Sequence, residues 1–401
     1  MSRLRVTDCA LLRATFVSFV SFAPSWCAVL MLACTTGEAA PPPVLNEVAP
    51  VEVLVPAPST PDLRVPAGYD VRKFASLDGP RVIQPLPDGS MFVSLTGRDE
   101  VVKLSDANGD GVAEVTPALR NLDSPHGLAL RGGYLYIANT GAVVRAKLDA
   151  GGMPDPKVER IASYSNGGGH FTRSILFGAD GGMYVSIGSS CNLCIETNPD
   201  RATVMRFDAD GKNGRVFARG LRNAVGMALN PESKDIWVSQ HERDNLKPDH
   251  QNLPPEELNI LRDGGDYGWP YCHSDRVPNP EYNDQARCDA TAPPALKMQA
   301  HSAPLGMTFL TNATQVPADW RGDLLLAFHG SWNRDNPTGA KVVRIRVKNR
   351  VPVSYEDFVA GWQRADGRRW GRPADVQVSM KDGSILIADD AGGAIWRLFK
   401  R

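Results

Sequence analysis

From residue 62 to the end, the chain repeats one pattern: a short apolar run, a turn rich in Asp and Gly, and a second apolar run. The copies are Arg81-VIQPLPDGSMFVSL, His126-GLALRGGYLYIANT, Ser174-ILFGADGGMYVSIG, Val225-GMALNPESKDIWVSQ, Leu305-GMTFLTNATQVPADWRGDLLLAF and Pro373-ADVQVSMKDGSILIADD. Runs of this length bounded by turn residues predict antiparallel strand pairs. Several copies continue into a third run with a basic residue near its end, as in VVKL, VMRF, VVRI and IWRL. A multi-strand unit recurring every 45 to 60 residues or so (about one propeller blade) predicts a β-propeller. The fold expected is therefore all-β: a six-bladed β-propeller over residues 62–401, with a long, polar, Pro-rich loop insertion, Gln240 to His301, between the fourth and fifth blade repeats. The strand around Tyr69–Phe74 is expected to pair with Ile395–Leu398, closing the ring and removing exposed sheet edges.

The first residues follow another pattern. Arg3, Arg5 and Arg13 precede an apolar stretch from Ala14 to Ala33, the arrangement of an export signal over residues 1–34. Pro24 and scattered Ser residues break the uninterrupted apolar run that a membrane-spanning helix needs. The end of this stretch, Leu30-Met31-Leu32-Ala33-Cys34, is similar to a bacterial lipoprotein cleavage site, so export is expected either with or without a lipid on Cys34. Residues 35–61 are Pro-rich and predict an extended linker that builds no ladder.

Composition narrows the function. With 44 Lys+Arg against 45 Asp+Glu the chain is near neutral and shows no basic stripe interleaved with aromatics, which argues against a nucleic-acid partner. Cys191, Cys194, Cys272 and Cys288 lie in the repeat region. Their closeness in sequence suggests Cys191 with Cys194 and Cys272 with Cys288, in keeping with an oxidising compartment; CNLC is open to the alternatives of half a zinc site or a redox dithiol. Asp106–Gly111, with Glu114, has the spacing of a calcium loop but no flanking helices, which leaves a turn between strands or a bound ion.

Candidate chemistry comes from the phase of the repeat. His170 follows Gly167-Gly168-Gly169 and stands just before the first strand of its copy; Arg222-Asn223 and Arg372 stand at the same phase in theirs. Equivalent positions in a propeller surround one end of the central channel, so the three segments are expected to face one site. Arginines there suit a ligand with several carboxylates or phosphates. Trp332 is either a wall of the substrate cleft or a buried structural residue.

The combination GGHFTRSILF, GSSCNLC, GLRNAVGMAL, GGDYGWPYC, HSAPLGMTF, HGSWNR and GRPADV resembles the sorbosone dehydrogenase branch of the quinoprotein glucose/sorbosone dehydrogenase family, over nearly all of 62–401. The resemblance implies a six-bladed propeller holding pyrroloquinoline quinone (PQQ) and Ca2+ that oxidises the anomeric or aldehyde carbon of a sugar and passes electrons to an external cytochrome or quinone. It implies His170 as the catalytic base. Arg222, Asn223 and Arg372 match cofactor contacts, with Arg334 and His301 as further ones. It implies calcium bound by backbone carbonyls of Gln240–Asp244, hence at Glu242 and Arg243, and at a second site through Glu257 and the backbone of Tyr267.

This sequence departs from better-known members at three places. Ser189 stands where an Asp orients the catalytic His, Gly330 near a lysine that contacts the quinone, and Ala374 in place of a second C-terminal arginine. Two rival readings are a calcium-dependent lactonase-type hydrolase on the same geometry and a propeller without cofactor that serves as an interaction scaffold.

Overall fold

A computed structural model describes residues 53–401. The expected export signal and Cys34 lie outside the described residues. Six four-stranded antiparallel sheets form the blades, one of them extended by an extra short strand. Blade 1 uses Ile83–Pro85, Met91–Leu95, Glu100–Ser105 and Glu114–Leu119, and blade 2 Leu128–Arg131, Tyr134–Ala138, Ala142–Lys147 and Glu159–Ser163. Blade 3 uses Ile175–Phe177, Met183–Ile187, Thr203–Phe207 and Arg215–Arg219, and blade 4 Ala224–Leu229, Ile236–Gln240, Glu256–Ile260 and Leu296–Met298. Blade 5 uses Pro304–Phe309, Leu324–Phe328, Lys341–Lys348 and Val351–Val359. Blade 6 takes Pro373–Val378, Ile385–Asp389 and Ala394–Lys400 from the C-terminal end and its fourth strand, Tyr69–Ser76, from the N-terminal part, with Ile395 opposite Ala75 and Leu398 opposite Val71. This is the closure that the sequence pattern predicts.

The second strand of each blade is mainly apolar because it is buried on both faces, with Ser94, Ser186, Ser239, Gln240 and Asp389 as buried polar exceptions. In blade 3, Met183, Val185 and Ile187 pack toward blade 2, whereas Tyr184 packs toward blade 4. Repeated around the ring, this alternation gives a hydrophobic cluster at each junction, ending where Phe74, Ala75 and Ile395 meet Ile83 and Met91 of blade 1. Side chains of period two therefore join neighbouring blades, and the inner strands are left to enclose an axial cavity of about 620 Å³.

Two expectations are corrected. Residues 54–61 are not a free tether: Leu54–Pro56 pairs with Arg64–Pro66, and Ala57 is buried with Leu63, Val65 and Trp362. Pro56 and Pro66 each end a strand, where a missing N–H costs little. The long insertion lies within blade 4 and not after it. Residues 241–255 join its second and third strands and residues 261–295 its third and fourth. The second stretch carries Gly265–Asp266, which adds in parallel to blade 3, a short hairpin, and the helix Gln285–Asp289. Its polar composition hid the strand Glu256–Ile260, whose glutamates are buried. Asp106–Gly111 is an exposed turn closed by its own hydrogen bonds.

Candidate active site

Because the first two strands of a blade are antiparallel, the residues leading into the first strand and those leaving the second lie at the same end. His241 N–H donates to the Asn223 carbonyl, His329 N–H to Ala303 and Asp390 N–H to Arg372, so blades 4, 5 and 6 each present two residues at one mouth of the channel. In blade 3, His170 N–H donates to the Ser189 carbonyl, and Ser189 N–H reaches across to Arg222.

His170 is held by the backbone around it. Arg173 donates to the carbonyls of His170 (2.8 Å) and Ser165 (3.1 Å), and Arg201 to those of Gly188 (2.9 Å) and Gly168 (3.1 Å). Gly169, at φ 57°, lies so close to the following turn that a Cβ there would come within 2.4 Å of the Ser190 carbonyl carbon. The imidazole Nδ1 is 3.0 Å from Ser189 Oγ and 3.1 Å from the Ser189 carbonyl oxygen. Since Ser189 Oγ spends its proton on the Cys191 carbonyl (2.7 Å), it acts toward His170 as an acceptor. Nδ1 therefore carries the hydrogen, and Nε2 keeps its lone pair. Burial above all, and then the charges of Arg222, Arg201 and Arg173, push the imidazole pKa down to about 4 despite the bond to Ser189. Ser189 thus orients the ring, and its support of the charged form is outweighed by burial and the arginines.

Beside it, Arg222 and Asn223 lead into blade 4. Gly188 lies between His170 and Asn223: a Cβ on it would meet His170 Cβ and Asn223 Oδ1, both at 2.6 Å. Arg222 donates through Nε to the Asn192 carbonyl (3.0 Å) and through Nη2 to Asn192 Oδ1 (2.9 Å), and pairs with Asp244 at 3.5 Å. Asp244 also accepts from Asn333 (2.8 Å) and lies 3.6 Å from His301 Nδ1. This carboxylate joins two of the predicted segments, HSAPLG and HGSWNR, to Arg222, and the Asp244 backbone bonds Asn192 of CNLC. Arg334 sits apart from that junction, tying the blade 5 loop to the carbonyls of Gln251 and Ala300. Trp332, next to Asn333, is 75% exposed, so it is not a buried structural residue.

The opposite arc holds Arg372, which donates to the carbonyls of His329 (3.0 Å) and Gly330 (2.8 Å). His329 Nε2 bonds Asp390 Oδ1 at 2.8 Å, and Asp390 pairs with Arg81 at 2.5 Å. Burial pushes His329 down to about 4 even with Asp390 opposing it, while Asp390, against its own burial, is drawn to about 2 by His329 and Arg81. At neutral pH the charged pair is Arg81–Asp390, and His329 donates to it as a neutral ring. His241 connects the two arcs: burial first, then His170, Arg222 and His329, lower it to about 3. His126, also near 3 through burial, bonds the Arg173 carbonyl and is structural. The axial cavity opens below this mouth, and its wall includes His126 and Asp375 but none of His170, Arg222 or Arg372.

Behind Arg222, blade 4 buries Gln240, Glu242, Glu256, Glu257 and Asn259. Gln240 Nε2 donates to both Glu242 and Glu257, Glu242 N–H to Glu256 (2.8 Å), and Asn259 to Glu257 (3.1 Å). Burial raises all three carboxyls, Glu256 to about 8, and none of them forms an ion pair among the described residues. Gln240 Oε1 and Asn259 Oδ1 are buried without a partner. Successive strand residues face opposite ways: Glu256 accepts from Glu242 N–H and Ala303 N–H, whereas Glu257 lies with Glu242 around Gln240 and Asn259, and these two carboxyls beside two orphaned amide oxygens are hard-oxygen donors of the kind Ca2+ takes. The predicted metal residues divide here. Glu242 and Glu257 meet through Gln240. For Arg243 and Tyr267 the expected ligands are backbone carbonyls, on which their side chains have no bearing: the Arg243 guanidinium pairs with Glu281 (2.6 Å) and the Tyr267 hydroxyl donates to the Ile260 carbonyl (2.7 Å).

Sequence reasoning missed Asp244, Asn192, Arg201, Glu256 and the Arg81–Asp390–His329 group. A second phase in the repeat, the residue leaving each second strand, carries the signal for His329 and Asp390. Asn192 and Asp244 lie in irregular loops and have no such marker.

A family model described as TrAA12-like matches residues 63–398. The chain is 28% identical over 320 residues to a pyrroloquinoline quinone-dependent pyranose dehydrogenase of Coprinopsis cinerea, which covers 67% of this chain but only 43% of that protein. It is 27% identical over 335 residues to a pyrroloquinoline quinone-dependent sugar dehydrogenase of Hypocrea jecorina, 70% of this chain and 75% of that one. Its fold matches the holo form of the pyranose dehydrogenase PQQ domain from Coprinopsis cinerea with a TM-score of 0.72 at 22% identity, over 84% of this chain and 97% of that domain.

Proposed function

Since the chain belongs to the TrAA12-like family, we propose that it is a PQQ- and calcium-dependent dehydrogenase that oxidises the anomeric or aldehyde carbon of a sugar and delivers electrons to an external cytochrome or quinone. The observation that carries this reading is the meeting, at one channel mouth, of a histidine with a free Nε2 lone pair and of Arg222 and Arg372 from different blades. PQQ, when bound, supplies a quinone that accepts hydride and three carboxylates of the kind such arginines recognise. Asn223, Arg81 and His301 adjoin the same mouth and would help to hold it.

His170 takes the substrate hydroxyl proton on Nε2 as hydride leaves the carbon. Its low pKa keeps it unprotonated at neutral pH and ready to accept, but the same arginines that suit the cofactor make the imidazolium short-lived, so the proton passes on to solvent. Calcium would be held by Glu242 and Glu257 with Gln240 and Asn259. Trp332 and Phe171, both largely exposed beside the mouth, offer apolar faces to a sugar ring. The two disulfides suit an exported protein, consistent with a signal over 1–34 and a lipid on Cys34 as one form of it.

The test is reconstitution: PQQ and Ca2+ are added to the purified apoprotein, and dye reduction is followed with a panel of aldoses and aldehydes. Sugar-dependent dye reduction is the expected result. No turnover together with no change in quinone absorbance would overturn the reading. Lactone hydrolysis without quinone would favour the hydrolase, and neither activity the scaffold.

A further inference from the structure

We propose that the disulfide-closed loop Ser189–Cys194 is a positioning device for the active site, setting the tautomer of His170 through Ser189 and the guanidinium of Arg222 through Asn192. This rests on the reading of His170 as base and Arg222 as cofactor contact. The loop follows directly on the second strand of blade 3, and residues 188–202 belong to no strand, so no ladder defines their path. What defines it is the Cys191–Cys194 bond, a brace from Glu196 to Ser190, and the contacts that the loop makes with the site.

Those contacts are dense. Ser189 Oγ is turned toward the Cys191 carbonyl, and this alone makes it an acceptor for His170 Nδ1–H. Asn192, inside the ring, uses every polar group of its side chain. Its Oδ1 accepts from Arg222 and from Asp244 N–H (2.8 Å), and its Nδ2 donates to the Asp244 carbonyl (3.0 Å). Its backbone carbonyl accepts from Arg222 Nε and from Trp269 Nε1 (3.3 Å). One residue thus connects blade 3, blade 4 and the long insertion at the point where the arginine is aimed.

The two disulfides differ in what they can do. A cross-link stabilises mainly by restricting the unfolded chain, and more so for longer loops. Cys272–Cys288 spans a separation of 16 residues, Cys191–Cys194 only 3. The short bridge therefore contributes least through the unfolded state and acts on local geometry. Opening it frees the Cys191 carbonyl and Asn192 together, while the hydrophobic junctions between blades, made from the strands, stay intact.

The test compares the full chain with the double variant Cys191→Ser/Cys194→Ser and with Cys272→Ser/Cys288→Ser. The first is expected to melt close to the parent, to bind PQQ in the presence of Ca2+ more weakly, on the order of tenfold as for other supporting groups, and to show His170 titrating at higher pH by NMR as water reaches the ring. The second is expected to melt lower with the His170 signals unmoved. Two single changes that keep the disulfide separate the arms: Asn192→Ala should reproduce the loss of PQQ affinity, and Ser189→Ala, in which the backbone carbonyl still accepts from Nδ1–H and holds the tautomer, should shift the titration and ring signals of His170. Parental PQQ affinity in Asn192→Ala together with parental His170 signals in Ser189→Ala and in the opened loop would overturn the proposal. If the parent itself does not bind PQQ, the cofactor reading fails, and the NMR comparison still decides whether the loop positions His170.

Discussion

At the residue scale the site depends on a neutral histidine oriented by neutral acceptors. His170→Ala is expected to lower kcat by about two to four orders of magnitude, the range for a lost general base, with PQQ affinity within a few-fold of the parent; steady-state kinetics beside a binding titration checks this. With the imidazole pKa at about 4, kcat/KM should be flat through the neutral range and fall as the pH drops through that value. An acidic limb near the ordinary histidine value instead would mean that bound cofactor changes the environment of the ring. Across the mouth, Asp390→Asn would remove the counter-charge of Arg81, while the amide oxygen can still accept from His329. Because the pair is only partly buried, the expected result is weaker PQQ binding and a loss of about 1–3 kcal/mol in stability, measured by denaturant unfolding. These effects live on single hydrogen bonds, so a one-residue change at Ser189 is expected to act on His170 and leave the fold intact.

Blade 4 is the element in which stability and function meet. Its third strand places Glu256 and Glu257 opposite the second strand, whose continuation carries Glu242. Glu256 has a pKa of about 8 in the folded protein against 4.5 in an open chain, so between these values the metal-free fold keeps a proton that the unfolded chain has lost, and stability falls as pH rises. On the proposed reading calcium would take the place of protons on Glu242 and Glu257, whose carboxyls burial also raises. The gain in Tm on adding Ca2+ to chelator-treated protein should therefore grow between pH 5 and pH 8 or so (roughly the window of the glutamate shift), and should be much smaller in Glu257→Gln. Calorimetry at the two pH values decides it; a gain equal at both, or unchanged in the variant, counts against calcium at these residues.

For the whole molecule, the ring is closed by one strand. Tyr69–Ser76 completes blade 6, and the junction of Ile395 with Ile83 and Met91 joins the last blade to the first. Ile395→Ala should cost about 2–5 kcal/mol as a buried large-to-small change, and a chain begun after Ser76 should lose the single cooperative transition, both followed by circular dichroism. The mouth is assembled from residues that the ring brings together over most of the chain, as in Arg81 with Asp390 or Ser189 with Arg222. Loss of closure should therefore abolish PQQ binding without any change in the residues that contact it.

The strand pairs, their number and the closing strand were legible in the sequence because burial on both faces demands mainly apolar runs, and a repeat writes that demand six times. The phase of His170, Arg222-Asn223 and Arg372 was legible for the same reason, since equal positions in a repeat occupy equal places in the ring. Residues 54–61 and Glu256–Ile260 were not: their prolines and carboxylates read as polar loop, and only pairing with other strands made them ladder and buried carboxyl cluster. Nor did local pattern mark Asn192, Asp244 or the Arg81–Asp390–His329 group as partners, because hydrogen bonds between irregular loops leave no period. The sequence by itself determined which residues must be buried together, and so the propeller and the place of the site. Tertiary structure decided which polar groups meet at that place, because their pairing depends on where separate loops end in space.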